Sequence, residues 1–533
     1  MNKLLRHSIV AIVALLVTCG IATAQQKPRL VINIIVGTLR GDDLERFESN
    51  FTEGGFKRLM SGGRYFNNAY YEFAHCTPAT SLATLSSGSQ PSEHGVVGSE
   101  WWSYADGSRT SLIVDEKSHP VPFSTGTGNY SAKRLIAPTI GDMLLMKSPQ
   151  SKQYSIAIDP LSAIVINGKA GIPLWIESNK THWTTATAFT KTPPAWIKEY
   201  NVNGGNDDYI LTRWTPLYKA EMYRNEEVAI MEGIKNKTTK LISGVNLNLD
   251  DSKYGAMCYT PAGNSSLLKF AIKLINEESL GVDDHTDILN ICLDSSRYIA
   301  ETYGPESMEY EDMLYRLDKD INEFLTAIYA SGTDTSNIVV TLTAAHGTSP
   351  SYDPADNGER ERFNTRQMEV MVNAYVCAHH GSSDYLLGFA NNAVYLNHKA
   401  IYENKLSVDQ IRDEVAIFLL QMRGVATVRS ATALRNSAFN EGRAALMQRG
   451  FYASRSGDVL IDLMPGWIIE SSDFRSSASS GYIYDRHVPM IIYGGGTKSA
   501  TIDERVDPAS LAATICELID VDVPWSSNGT TLP

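Results

Sequence analysis

Apolar positions along this chain come in short continuous runs, separated by segments of helical period. Arg29–Val36 is almost wholly aliphatic, the pattern of a strand buried on both faces, as in a parallel sheet. Tyr154–Ile158, His285–Leu293, Ile338–Leu342 and Met490–Tyr493 read the same way. Gly54–Met60, Asn264–Glu277 and Pro508–Leu518 read as helices. Glu309–Tyr329 does so most strongly, with Tyr310, Leu314, Leu317, Ile321, Phe324 and Ile328 on one face. Ser407 and Gln410 form a capping box that opens a helix running to Met422. Strands alternating with helices predict an α/β fold: a mostly parallel central sheet sandwiched between helices, with cap-like insertions.

The pattern weakens in two stretches. Residues 162–262 are rich in Trp, Asn, Thr and Gly, and residues 351–455 carry helices of their own. Both read as insertions into a core of about 28–161, 263–350 and 456–533. The Ser-rich stretch 471–481 reads as a loop. At the N-terminus, Lys3 and Arg6 precede an apolar run, and Ala22-Thr23-Ala24 precedes Gln25. This is the form of a Sec-type signal peptide over residues 1–24. It implies export to the periplasm or the exterior. A lipoprotein anchored at Cys19 is the poorer reading, because Thr18 precedes the cysteine. No long apolar stretch follows, so no membrane span is expected in the mature chain.

Charge narrows the partners. The chain of 533 residues carries 47 basic and 60 acidic side chains, a net charge of −13. Loss of Lys3 and Arg6 would make it −15. That balance argues against nucleic acid. The remaining cysteines, Cys76, Cys258, Cys292, Cys377 and Cys516, are odd in number and scattered, and read as free thiols rather than a disulfide framework.

Four islands carry candidate chemistry. Val31–Gly37 is followed by Arg40-Gly41-Asp42-Asp43. Thr77-Pro78-Ala79-Thr80 leads to Gly88, Pro91 and His94-Gly95. Asp294-Ser295-Ser296-Arg297 leads to Glu301 and Gly304-Pro305. Ala344-Ala345-His346-Gly347 is followed much later by Tyr484-Asp485-Arg486-His487-Val488-Pro489. Together with Gly54–Met60, these islands resemble the alkaline phosphatase superfamily, most closely its nucleotide pyrophosphatase/phosphodiesterase-like branch and the bacterial phosphate monoesterases within it. The resemblance covers nearly the whole mature chain. It implies a three-layer sandwich and a pair of zinc ions about 4 Å apart that clamp a phosphoryl group, held by Asp and His beside a Thr or Ser nucleophile.

Carried over position by position, the resemblance puts few of those side chains in place. The first-strand aspartate falls on Gly37. The nucleophile falls on Pro78, with Thr77 adjacent. The asparagine that contacts the transferred group falls on Ser99. A basic pair that reads the phosphate falls on Asp159 and Leu161. An Asp and a His ligand fall on Arg297 and Glu301, the next Asp on Ala345, and its partner on His346. The last His falls near Ala478. His346 and Glu301 are therefore the only remnants of a metal site. Arg297 and Glu301, four residues apart, are expected to pair, and Arg297 is the candidate anion-binding residue. Asp42 and Asp43 read as helix N-terminal charges. His94 reads as a hydrogen-bonded turn residue and His379-His380 as an exposed loop pair. Trp101, Trp102, Trp175, Trp183, Trp196 and Trp214 read as packing residues.

These residues lead to the expectation of a catalytically inactive superfamily member without a cofactor. Such a protein would bind or scaffold an anionic ligand or an envelope protein. The alternative is a phosphomonoesterase or phosphodiesterase with an unorthodox zinc site, using Thr77. A purely structural envelope role is a third reading.

Overall fold

The five predicted strands lie side by side at the centre of one ten-stranded sheet. The computed structural model describes residues 27–122, 128–177, 182–210, 214–225, 257–330, 335–352, 361–470 and 474–533; the expected signal peptide and Cys19 lie outside them. The sheet's strands are β1 (Leu30–Thr38), β2 (Arg64–Tyr70), β3 (Pro120–Val121), β4 (Gln153–Ala157), β5 (Ile172–Ile176), β6 (Trp183–Ala186), β7 (Asp287–Leu293), β8 (Ile338–His346), β9 (His487–Gly494) and β10 (Ala500–Ile502). Their order is β10-β2-β9-β8-β1-β7-β4-β5-β6-β3. The central run β8-β1-β7-β4-β5 is parallel, and β9 and β6 are antiparallel to their neighbours β8 and β5.

Every residue of β1, β7 and β8 is buried, which explains their mostly apolar composition. A polar rung pins the register across these three strands. Thr341 donates to Asn33 at 2.8 Å, and Asn33 donates to Asn290 at 2.8 Å. A slip of one residue would bury these groups unpaired. The helices that position the site are α1 (Pro78–Ser87), α2 (Pro160–Asn167), α3 (Ser295–Tyr303) and α4 (Met308–Ala330). α1 packs with α2, and α3 with α4, as parts of the two helical layers.

The sheet and the two insertions differ from the sequence expectation. β8 continues through Ala344, Ala345 and His346, beyond the expected end at Leu342, because Val36 and Thr38 of β1 pair with Ala344 and His346. The first expected insertion begins inside the sheet, since α2, β5 and β6 are core elements. Aromatic burial hid this: Trp183 is fully buried and stacks on Phe270 with ring centres 3.8 Å apart, and Trp175 is buried against Tyr130. The second expected insertion does not end at 455. Its own sheet orders Leu386–Ala390, Ala393–Leu396, Val459–Leu463 and Val425–Ser430, and has a separate apolar core. The turn at the tip of its first hairpin, Asn391-Asn392, has φ of 50° and 54°, a left-handed conformation that asparagine tolerates. Among the described residues no helix is long and apolar enough to cross a membrane.

Candidate active-site cleft

The carboxyl ends of parallel strands are where an open α/β sheet offers a crevice. A cleft of about 450 Å³ opens near the ends of β4 and β7, lined among others by Thr77, Pro78, Ser99, Asp159, Leu161 and Arg297. Six positions that the sequence singled out thus meet in one cavity, although more than 200 residues separate the first from the last.

Thr77 is the N-cap of α1. Its hydroxyl lies 3.1 Å from the Thr80 hydroxyl and accepts from the Thr80 N–H at 3.4 Å, while the Thr80 hydroxyl accepts from the Thr77 N–H at 2.9 Å. Pro78 fills the first helical position, where a missing N–H costs nothing. Asp159 caps α2 by accepting from the Leu161 N–H at 2.9 Å.

Arg297 and Glu301 point together, as their spacing predicted, but loosely. The guanidinium lies 3.5 Å from both Glu301 oxygens and 3.4 Å from Asp159. The guanidinium also sits 4.2 Å from the centre of the Tyr298 ring, a cation–π contact. The Arg297 Nε is buried with no hydrogen-bond partner. Burial pushes the Glu301 carboxyl up, against the pull of Arg297.

The remaining predicted positions stand apart from the cavity lining. Gly37 lies in β1, where an added Cβ would come within 3.2 Å of the Arg297 Cβ, the Leu293 carbonyl and the Ser296 hydroxyl. A strand-end aspartate would crowd the start of α3. Ala345 is buried in β8. His346 is buried, with Nδ1 2.6 Å from the Gly347 carbonyl and Nε2 without a partner. Burial pushes its pKa down to about 4, so the ring is neutral. Ala478 is half-buried, next to Ser477, whose N–H donates to the Ser349 hydroxyl at 3.1 Å.

Several other expectations meet the structure. Asp43 begins a helix, as its charge suggested, but it is fully buried, accepts from Tyr310 at 2.8 Å, and is pushed up to about 6 by burial. His94 is a buried turn residue whose Nδ1 accepts from the Val96 N–H at 3.0 Å. His379-His380 is not a loop pair: it ends the helix Thr365–His380, and His380 pairs with Glu414 at 2.6 Å. The described cysteines carry no disulfide.

Sequence reasoning missed three contributors. Asp294 has no part in the site that the sequence predicts. It is buried and accepts from the Ile158 and Asp159 N–H groups and the Ser162 hydroxyl at 3.0, 2.9 and 2.7 Å. It therefore ties the end of β4 and the start of α2 to the start of α3. Its position right after the apolar run Asp287–Leu293 was the available signal. Glu100 and Asn391 also line the cleft, and Asn391 donates to the Glu100 carbonyl at 2.6 Å. Asn391 comes from the second sheet, and no local pattern marks it.

Asp485 gives a pH prediction. It accepts from the Ser479 and Ser480 N–H groups and the Ser480 hydroxyl, while its Oδ1 is buried without a partner. Burial pushes its pKa up from 3.8 to about 7. The folded state therefore binds the proton more tightly than the unfolded chain. Its contribution is fully present below the unfolded value and is lost as pH rises through 7. Relative to Asp485→Asn, the protein is expected to lose up to about 1.4 kcal/mol per pH unit between pH 5 and 7. Urea midpoints of both proteins at pH 5, 6, 7 and 8 check this; parallel profiles would refute it.

Residues 31–482 match the family model described as type I phosphodiesterase/nucleotide pyrophosphatase. The chain belongs to that family. Among its relatives, alkaline phosphatase PafA of Elizabethkingia meningoseptica is 28% identical over 531 residues, covering 97% of each chain. Alkaline phosphatase PhoV of Synechococcus elongatus is 26% identical, covering 95% of this chain and 92% of that one. A crystal structure of wild-type PafA superposes with a TM-score of 0.89 at 27% identity, covering 95% of this chain and 98% of that one.

These relatives correct two expectations. The expected inactive scaffold is set aside, because near full-length relatives of a phosphodiesterase-family chain are named alkaline phosphatases. The expectation of no cofactor is set aside with it, since the resemblance to that group brings two-metal chemistry. The side chains in place nevertheless do not fit a zinc pair as they stand. Arg297, a cation, lies between Asp159 and Glu301, Gly37 and Ala345 offer no donor, and zinc needs three or four N, O or S ligands. Among the described residues no three His, Cys, Asp or Glu side chains converge as a metal site.

Proposed function

We propose that this chain is an exported hydrolase of phosphoric esters that works in the cleft beside Thr77. The observation that carries this reading is Thr77, whose hydroxyl caps the N-terminus of α1 and which lines a cavity of about 450 Å³. A helix N-terminus favours an anion, and α1, at ten residues, is long enough to present one. The near full-length likeness to proteins named alkaline phosphatases supports the same reaction class.

In this reading the Thr77 oxygen attacks phosphorus, and the ester oxygen leaves with the hydroxyl proton as an alcohol. Water then cleaves the phosphothreonine and regenerates the hydroxyl. The apolar wall of Ile113, Val114, Tyr130 and Leu161 receives the organic part of the ester. The test is turnover of p-nitrophenyl phosphate and bis(p-nitrophenyl) phosphate by purified protein, with chelator and with added zinc, beside elemental analysis for zinc. Turnover of either ester above the Thr77→Ala background is expected. Its absence in both metal conditions would overturn the proposal.

A further inference from the structure

The charges around the cleft are exchanged relative to the pattern that the resemblance implies. Where a basic pair would read the phosphate, at the start of α2, stand Asp159 and Leu161. Where an acidic ligand would stand, at the start of α3, is Arg297. Both charged side chains line the same cavity, and each is the other's partner at 3.4 Å. In that comparison the cation stands on α3 and the carboxylate on α2, on opposite sides of their contact.

We infer that Arg297 is the residue that binds the phosphoryl oxygens of the ester in this cleft. Three features of its setting support this. Charge-assisted N–H···O bonds close to about 2.7–2.9 Å, yet all three Arg297 contacts to carboxylates stay at 3.4–3.5 Å. The guanidinium is therefore held in place but not saturated. A guanidinium carries five N–H donors, more than these three contacts use, which leaves donors on the terminal nitrogens for a tetrahedral oxyanion, and the planar fork suits two such oxygens at once. The guanidinium also lies over the Tyr298 ring, 4.2 Å from its centre, and this contact with the two carboxylates holds it before a ligand arrives, so little ordering cost remains on binding. Asp159 and Glu301 compete with the ligand for the cation. They hold the guanidinium in the empty cleft and weaken any anion that binds beside it.

This inference rests on the hydrolase reading for its ligand class, and its test reads binding without turnover. Inorganic phosphate is titrated calorimetrically into the full chain, the Arg297→Gln, Arg297→Lys and Asp159→Asn variants, each with chelator and again with zinc. Arg297→Gln is expected to weaken phosphate at least tenfold, with partial recovery in Arg297→Lys. Asp159→Asn is expected to tighten it severalfold, because a competing carboxylate is gone. A merely structural arginine would not give that gain, and Asp159 lies at the cleft surface, so the second variant carries the test if the first fails to fold. Unchanged affinity in Arg297→Gln, no gain in Asp159→Asn, or no phosphate binding by the parent protein would overturn the inference. Phosphate bound through Arg297 with no ester turned over would leave it standing and remove the hydrolase reading instead.

Discussion

Thr77→Ala is expected to lower ester turnover at least about 1,000-fold, a loss of about 4 kcal/mol of transition-state stabilisation. The same change should cost the fold little. An N-cap replaced by alanine loses about 1 kcal/mol, and the start of α1 has a second anchor. The Thr80 hydroxyl accepts from the residue 77 N–H and donates to the His75 carbonyl at 3.2 Å, and neither bond involves the Thr77 side chain. The variant should therefore fold, show a slightly lower melting temperature, and be inactive. Thr77→Ser keeps both the hydroxyl and the cap, and should retain most of the turnover. Full activity in Thr77→Ala would move the attacking group to another hydroxyl of the cleft, such as Ser99 or Ser111.

The largest stability effect is expected at Asp458. Its side chain is fully buried in the second sheet's unit. One carboxylate oxygen accepts from the Arg412 Nε at 2.8 Å, a terminal nitrogen of the same guanidinium at 2.7 Å, and the His398 Nε2 at 2.8 Å. The other accepts from the Leu396 N–H at 2.7 Å. Asp458→Ala leaves the buried Arg412 with Asp409, which is exposed, as its remaining acidic partner. Removing one side of a buried ion pair costs about 3–5 kcal/mol, because the other charge stays desolvated. Urea unfolding is expected to show that loss. Asp458→Asn, which keeps acceptor geometry but not charge, should fall between the two. A loss below about 1 kcal/mol would mean that Arg412 finds water on rearrangement. Because the hairpin tip at Asn391 belongs to this unit and lines the cleft, Asp458→Ala is also expected to weaken ester turnover from a distance.

The legible parts of the fold were those whose burial is aliphatic and local. β1 and β7 read directly from runs such as Val31–Val36 and Ile288–Leu293, since a strand buried on both faces has no polar alternation to misread. The helix opened by Ser407 begins at the predicted cap, with the Ser407 hydroxyl accepting from the Gln410 N–H, but the Gln410 side chain donates to Glu414 at 2.8 Å instead of completing a capping box, and the helix ends at Leu419 rather than Met422. The last residues of β8 were not legible. Thr343, Ala344, Ala345 and His346 have little aliphatic weight, and they are strand because β1 offers them a paired edge. β5 and β6 were missed because Trp175 and Trp183 provide their burial, and two tryptophans do not make a run.

The sequence by itself determined the central parallel sheet and the family resemblance. Those properties follow from composition and spacing along the chain, where apolar runs and motif intervals act locally. Only the tertiary structure decided which of the motif positions share a cavity. It brought Thr77, Ser99, Asp159 and Arg297 together, left His346 and Ala345 within the sheet, and added Asn391 from a separate unit. It also decided that Arg297 faces Asp159 as well as Glu301. The reason is physical: the cation has two acidic neighbours of similar distance, one a turn away on its own helix and one 138 residues away in sequence, and only packing places the second within reach.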